Sequence, residues 1–85
     1  MDRLLAMKIF RHVVDDGGFA AAARTLDLSP AAVTRMVAAL ETQLGARLLQ
    51  RTTRKLALTD VGEAYLHRVR NILHEVEDAE SEVAT

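Results

Sequence analysis

The chain lacks cysteine and tryptophan entirely, and it has one proline and four glycines among 85 residues. Without cysteine there is no disulfide framework and no zinc finger, and the cytosol is the default compartment. Long apolar runs are also missing: the longest are five residues, at 19–23 and 36–40. A bilayer span takes roughly 20, so no membrane helix is expected. The start, Met1-Asp2-Arg3, lacks the basic and apolar regions of a secretory signal. The length suits one domain and leaves no room for a separate substrate cleft, so a stand-alone enzyme is not expected.

Constellations for chemistry are absent as well. His12, His67 and His74 are the three histidines. Two of them, seven apart on one helix, fall short of the convergent ligands that a metal needs. Gly17-Gly18 has no following lysine and is no phosphate loop. Ser29 has no base partner at nucleophile spacing, and a helix N-cap accounts for it. No cofactor and no metal are expected.

Charge is present but unevenly placed. The net charge of −1 hides a split between residues 1–59, with nine basic and five acidic side chains, and residues 60–85, with two basic and seven acidic. Between Arg35 and Lys55 the count is five basic to one acidic. A basic block followed by an acidic tail suggests two tasks in one chain, although two solvated faces of opposite sign would give the same count.

Apolar spacing orders the chain. Leu4, Met7, Phe10 and Val14 recur at helical intervals, and Gly17-Gly18 stops that segment. Residues 19–26 are alanine-rich and helix-forming. After a short break at Asp27-Leu28, Ser29-Pro30 opens a third helix with an N-cap and a first-turn proline. Val33, Val37, Leu40 and Leu44 form its apolar stripe, and Gly45 stops it. Residues 48–51 and 55–58 read as a hairpin around Thr52-Thr53-Arg54, and a long helix follows from Thr59 or Asp60.

Two helices joined by a short turn are the shape of a helix-turn-helix, here at about residues 19–38. Such a unit needs a small residue where its helices cross, met by Ala23, and apolar fillers, met by Ala22, Leu26, Leu28, Val33 and Met36. Its turn favours positive φ, which Asp27 tolerates. On the opposite side of the third helix lie Ala31, Thr34, Arg35 and Ala38, at i, i+3, i+4 and i+7. Three small or short side chains let a helix sit deep in a major groove, while the guanidinium can grip guanine. Ordinary exposed faces carry Glu, Lys and Gln instead. Arg51, Arg54 and Lys55 around the Thr-Thr tip suit phosphate or minor-groove contact. The expected fold is therefore mainly α. A winged helix-turn-helix occupies residues 1–59, with three helices and a two-stranded β-hairpin wing at about 48–58, and a dimerisation helix occupies 60–85.

The run Leu28-Ser29-Pro30-Ala31-Ala32-Val33-Thr34-Arg35 is followed by Leu40-Glu41, Leu44-Gly45, Leu48-Leu49-Gln50-Arg51-Thr52-Thr53-Arg54 and Leu58-Thr59-Asp60-Val61-Gly62. Together they resemble the LysR-type transcriptional regulators along essentially the whole chain. The resemblance implies that the helix opened by Ser29 enters the major groove, with Ser29, Pro30, Ala31, Thr34 and Arg35 near bases or phosphates. It implies that Arg51, Thr53 and Arg54 make the wing contact. It also implies a longer parent protein, with a separate domain for a small-molecule effector. Gly18 and Ala20 depart from the family pattern, which commonly has hydroxyl residues there, so the second helix starts without a side-chain cap.

On the long helix, Leu66, Val69, Leu73, Val76, Glu80 and Val83 follow a heptad, flanked by Tyr65, Ile72 and Ala79. A helix of 26 residues is about 39 Å long, more than the remaining domain can cover. The seam of Leu66, Val69, Ile72, Leu73, Val76 and Val83 is expected to meet a second copy, and in the family this helix pairs antiparallel. The sequence thus points to a homodimer on double-stranded DNA. The rival is a protein-interaction module whose basic face is incidental.

Overall fold

The computed structural model describes residues 1–51 and 54–84. Four helices follow one another: α1 Arg3–Asp16, α2 Phe19–Leu26, α3 Pro30–Leu44 and α4 Asp60–Ala84. Each end has a local cause. Asp2 caps α1, its Oδ1 accepting from Leu5 N–H at 3.1 Å. Gly18 starts α2 with no side-chain cap, and Asp27 ends it in the left-handed region at φ 56°. Ser29 Oγ accepts from Ala32 N–H at 3.0 Å, and Pro30 sits in the first turn of α3.

The first three helices pack pairwise, and α4 crosses α1. Phe10, Ile9 and Val13 of α1, Ala22 of α2, Val33 and Val37 of α3 and Val69 of α4 have no exposed surface. Burying each large aliphatic side chain stabilises the fold by roughly 1.5–3 kcal/mol. The Phe10 and Tyr65 rings lie 5.9 Å apart at 39° and tie α4 to α1. Burial pushes the Tyr65 phenol above its ordinary range, against an opposing pull from Arg3.

Three leucines assigned to the interior are exposed: Leu4 at 46%, Leu28 at 39% and Leu44 at 43%. On α1 the buried face is Ala6, Met7, Ile9, Phe10 and Val13, so Met7 and Phe10 of the expected row are buried, Val14 packs half-buried against the core and Leu4 lies outside it. On α3 the stripe holds for Val33, Val37 and Leu40, and then Glu41 turns inward where Leu44 was expected.

The expected two-stranded hairpin is reduced, among the described residues, to one antiparallel bridge, Leu49 with Leu58. Gln50 N–H donates to Ala57 O at 2.9 Å and Thr59 N–H to Leu48 O at 3.0 Å. The reciprocal bond, from Leu48 N–H to Thr59 O, is absent: Leu48 N–H donates to Glu41 Oε2 at 2.7 Å, and Thr59 O accepts from Glu63 N–H at 2.9 Å. A side chain has taken the donor that would have extended the ladder.

The heptad assignment on α4 also changes. Leu66 and Leu73, each 7% exposed, and Val69, at 0%, belong to the core of their own chain. They are withdrawn from the face offered to a second copy. The outward apolar row is Ile72, Val76, Ala79 and Val83, and Val83 is 88% exposed. Two rows, roughly a quarter-turn apart, had been read as one seam. Asp15 and Arg70 close the crossing, Arg70 Nη2 donating to Asp15 Oδ1 at 2.8 Å.

The start of α4 is fixed by a tight approach to the chain after α3. Thr59 Oγ1 donates to Arg47 O at 2.6 Å and accepts from Gly62 N–H at 2.9 Å. A Cβ on Gly62 would overlap the Leu48 carbonyl oxygen and lie 2.9 Å from its carbonyl carbon, so only glycine fits. Gly62→Ala is expected to lower the unfolding free energy by about 2–3 kcal/mol, the cost of overpacking against rigid backbone. Urea denaturation followed by circular dichroism measures this, and an unchanged midpoint would contradict the close approach.

Candidate nucleic-acid interface

The outward side of α3 is built as its spacing suggests. Ala31, Thr34, Arg35 and Ala38 are all exposed. Ser29 and Pro30 are exposed at the helix start, where free backbone amides favour anions. Thr34 Oγ1 donates to Pro30 O at 2.9 Å. That bond restrains the rotamer of an exposed side chain whose hydroxyl can still accept a hydrogen bond. Arg35 makes no hydrogen bond or ion pair with any described residue. A long cation with no partner among the described residues, flanked by small side chains, leaves this surface open to a groove.

The basic loop divides. Arg54 and Lys55 are exposed. Thr53, assigned to the wing tip with Thr52, lies outside the described residues. Arg51, expected to make the wing contact, has its Nη2 hydrogen-bonded to Glu41 Oε1, with its side chain 37% exposed.

Glu41 is the residue that sequence reasoning missed. Its side chain is 5% exposed, and both carboxylate oxygens are used. Oε2 accepts from Leu48 N–H at 2.7 Å and from Leu49 N–H at 3.2 Å. Oε1 accepts from Arg51 and has the Arg47 guanidinium 3.8 Å away. A buried carboxylate is tolerated only when paired and hydrogen-bonded in this way. The available signal was its uniqueness: it is the one acid between Arg35 and Lys55, and it follows Val37 by four on the apolar stripe. Gly62 and Thr59 were quoted as part of a pattern, without a physical role.

The remaining titratable groups form local pairs. His12 Nδ1 is 3.2 Å from Asp16 Oδ2, and His74 Nε2 is 3.3 Å from Asp78 Oδ2. Among the described residues no three His, Cys, Asp or Glu side chains are grouped to hold a metal. No helix among them is long and apolar enough to cross a membrane.

A capped helix-turn-helix presenting an uncluttered α3, a short basic loop beside it and a long trailing helix define the class of winged helix-turn-helix regulators. Residues 4–63 match the model of the bacterial regulatory helix-turn-helix proteins of the lysR family. The chain is 41% identical, over 98% of its length, to the HTH-type transcriptional activator AaeR of Escherichia coli (strain K12), of which it covers 27%. It is 51% identical over 88% of its length to an HTH-type transcriptional regulator of Xanthomonas campestris pv. campestris (strain 8004), covering 22% of that protein. Among solved structures it resembles the BenM DNA-binding domain in complex with benA site 1 DNA. The TM-score is 0.92 at 27% identity, with 99% of this chain and 93% of that one covered. The chain belongs to the LysR family of DNA-binding transcriptional regulators, a family of regulators and not of enzymes. It spans about a quarter of the length of the curated relatives it matches.

Ser29→Ala removes the α3 cap and is expected to cost about 1 kcal/mol of stability. Thermal unfolding checks it: a melting temperature equal to that of the unsubstituted chain would show that the Ala32 amide finds another acceptor.

Proposed function

We propose that this chain binds double-stranded DNA sequence-specifically as a homodimer, as part of a cytoplasmic transcriptional regulator. Helix α3 enters the major groove, with Ser29 and Pro30 at the adjacent backbone and Ala31, Thr34, Arg35 and Ala38 along the base edges. Arg54 and Lys55, with Thr53 beside them, follow the phosphates or the minor groove. The observation that carries this reading is the α3 face itself, where one unpaired guanidinium stands among small side chains. The BenM domain, solved on DNA, supports the same placement. A second copy packs along the outward row of α4, Ile72, Val76 and Val83, setting two recognition helices on a two-fold site. The relatives' greater length supports an effector-binding domain elsewhere in the parent protein.

Fluorescence anisotropy on a library of palindromic duplexes, titrated with salt, tests the binding. A steep fall of log K with log salt, and a preferred subset of duplexes, is expected. Uniform, salt-insensitive binding would favour an interaction module instead. Arg35→Ala should cost roughly 1–3 kcal/mol on the preferred duplex and relax a guanine position in each half-site. Arg54→Ala should weaken all duplexes alike and reduce the salt slope by about 1.

The pairing has its own test. Ile72→Glu puts a charge into the row proposed to meet a second copy, at the cost of desolvating it. Sedimentation velocity should then show monomer where the unsubstituted chain shows dimer. Dimerisation unaffected by this change would place the contact elsewhere.

A further inference from the structure

The stretch 48–51 leaves the core at the foot of α3 with little backbone structure to direct it. One bridge, Leu49 with Leu58, two backbone hydrogen bonds and the donation of Gln50 Nε2 to Leu58 O at 3.0 Å join it to residues 57–59 among the described residues. What holds it to α3 is a side chain. Glu41, in the last turns of α3, receives the amides of Leu48 and Leu49 on Oε2 and the Arg51 guanidinium on Oε1. The carboxylate therefore fixes three points, at positions 48, 49 and 51, of the segment that leads to Arg54 and Lys55. Arg35–Lys55 holds five cations, and two of them, Arg47 and Arg51, converge on this single acid. Cations meant for phosphate gain nothing from a buried carboxylate that neutralises them. A cation meant to lock a loop does.

We infer that Glu41 and Arg51 are a positioning pair for DNA binding: Arg51 acts through Glu41 to set the wing's distance from Thr34 and Arg35, and not as a phosphate ligand. The inference rests on the DNA-binding reading above. It makes a prediction opposite in sign to plain electrostatics. Removing a negative charge near DNA should by itself tighten binding and steepen its salt dependence. If Glu41 positions the wing, removing its charge must instead weaken binding.

The test uses Glu41→Gln, Arg51→Met and the double variant on the preferred duplex, with urea midpoints recorded in parallel. The expected result is that Glu41→Gln lowers affinity about tenfold and flattens the salt slope, as Arg54 loses its register. The double variant should bind no worse than Arg51→Met alone, since both changes break one unit. Arg51→Lys should recover part of the loss, because it keeps the ion pair but not the fork. Tighter binding by Glu41→Gln, or additive losses in the double variant, would overturn the inference. Where Glu41→Gln proves too unstable to measure, the unsubstituted chain decides by NMR of arginine side-chain Nε–H groups. The Arg51 signal should be present before DNA and unmoved by it, while the Arg35 and Arg54 signals shift. An Arg51 signal that moves with that of Arg54 would make it a phosphate ligand and refute the pair. Absence of DNA binding by the unsubstituted chain is a different outcome, and it would refute the DNA-binding reading itself.

Discussion

The buried carboxylate of Glu41 is the interaction on which the arrangement around α3 depends. A lone ionised acid in an apolar interior is very costly, and only pairing together with hydrogen bonding offsets that cost. Here two backbone amides and two guanidinium groups surround it. Because those partners come from positions 47, 48, 49 and 51, the acid dictates the path of the chain after Gly45. That same demand for donors takes the Leu48 amide away from the ladder, which among the described residues is one bridge, Leu49 with Leu58.

Leu48 is where the parts meet. Its N–H serves Glu41 on α3, its carbonyl accepts from Thr59 at the start of α4, and its side chain is fully buried. The next turn of α4 then passes so near that carbonyl that position 62 admits no Cβ. Recognition helix, basic loop and long helix are thus fastened to one another within a few residues, and a shift of one is felt by the others. This junction joins the end of α3 to the start of α4, while α1 packs against both helices.

How much of this could be read beforehand follows from the range of each interaction. Caps and stops are local, so Ser29, Pro30, Gly45 and the positive φ of Asp27 were legible. So was the open face of α3, because helical periodicity alone places Thr34 and Arg35 together. The wing's pairing depended on a carboxylate seven and eight positions away, and no short-range pattern reports that. The α4 seam failed for a different reason. Rows at 66, 69, 73 and at 72, 76, 79, 83 both have helical spacing, and only the position of α1 decides which is covered. Leu28 follows from motif position and Leu44 from the apolar stripe of α3, although each lies at a helix end where the surface is near.

The net charge of −1 poses no obstacle to binding a polyanion once each acid is located. Within residues 1–59, Asp2 caps α1, Asp15 pairs with Arg70, Asp16 with His12, Asp27 ends α2 and Glu41 is buried. Asp2, Asp15, Asp16 and Glu41 thus use their carboxylates within the fold, while Asp27 contributes its backbone conformation. Of the seven acids in residues 60–85, Asp60 and Glu63 lie in the first turn of α4, and the other five, from Glu75 on, begin roughly 22 Å along α4 from its start, well beyond the screening length of about 8 Å at physiological salt. The cations left outward include Arg35 on α3 and Arg54 in the loop. The outward side of α3 and the loop after it thus present Arg35 and Arg54, while the acids from Glu75 on lie on the far turns of α4.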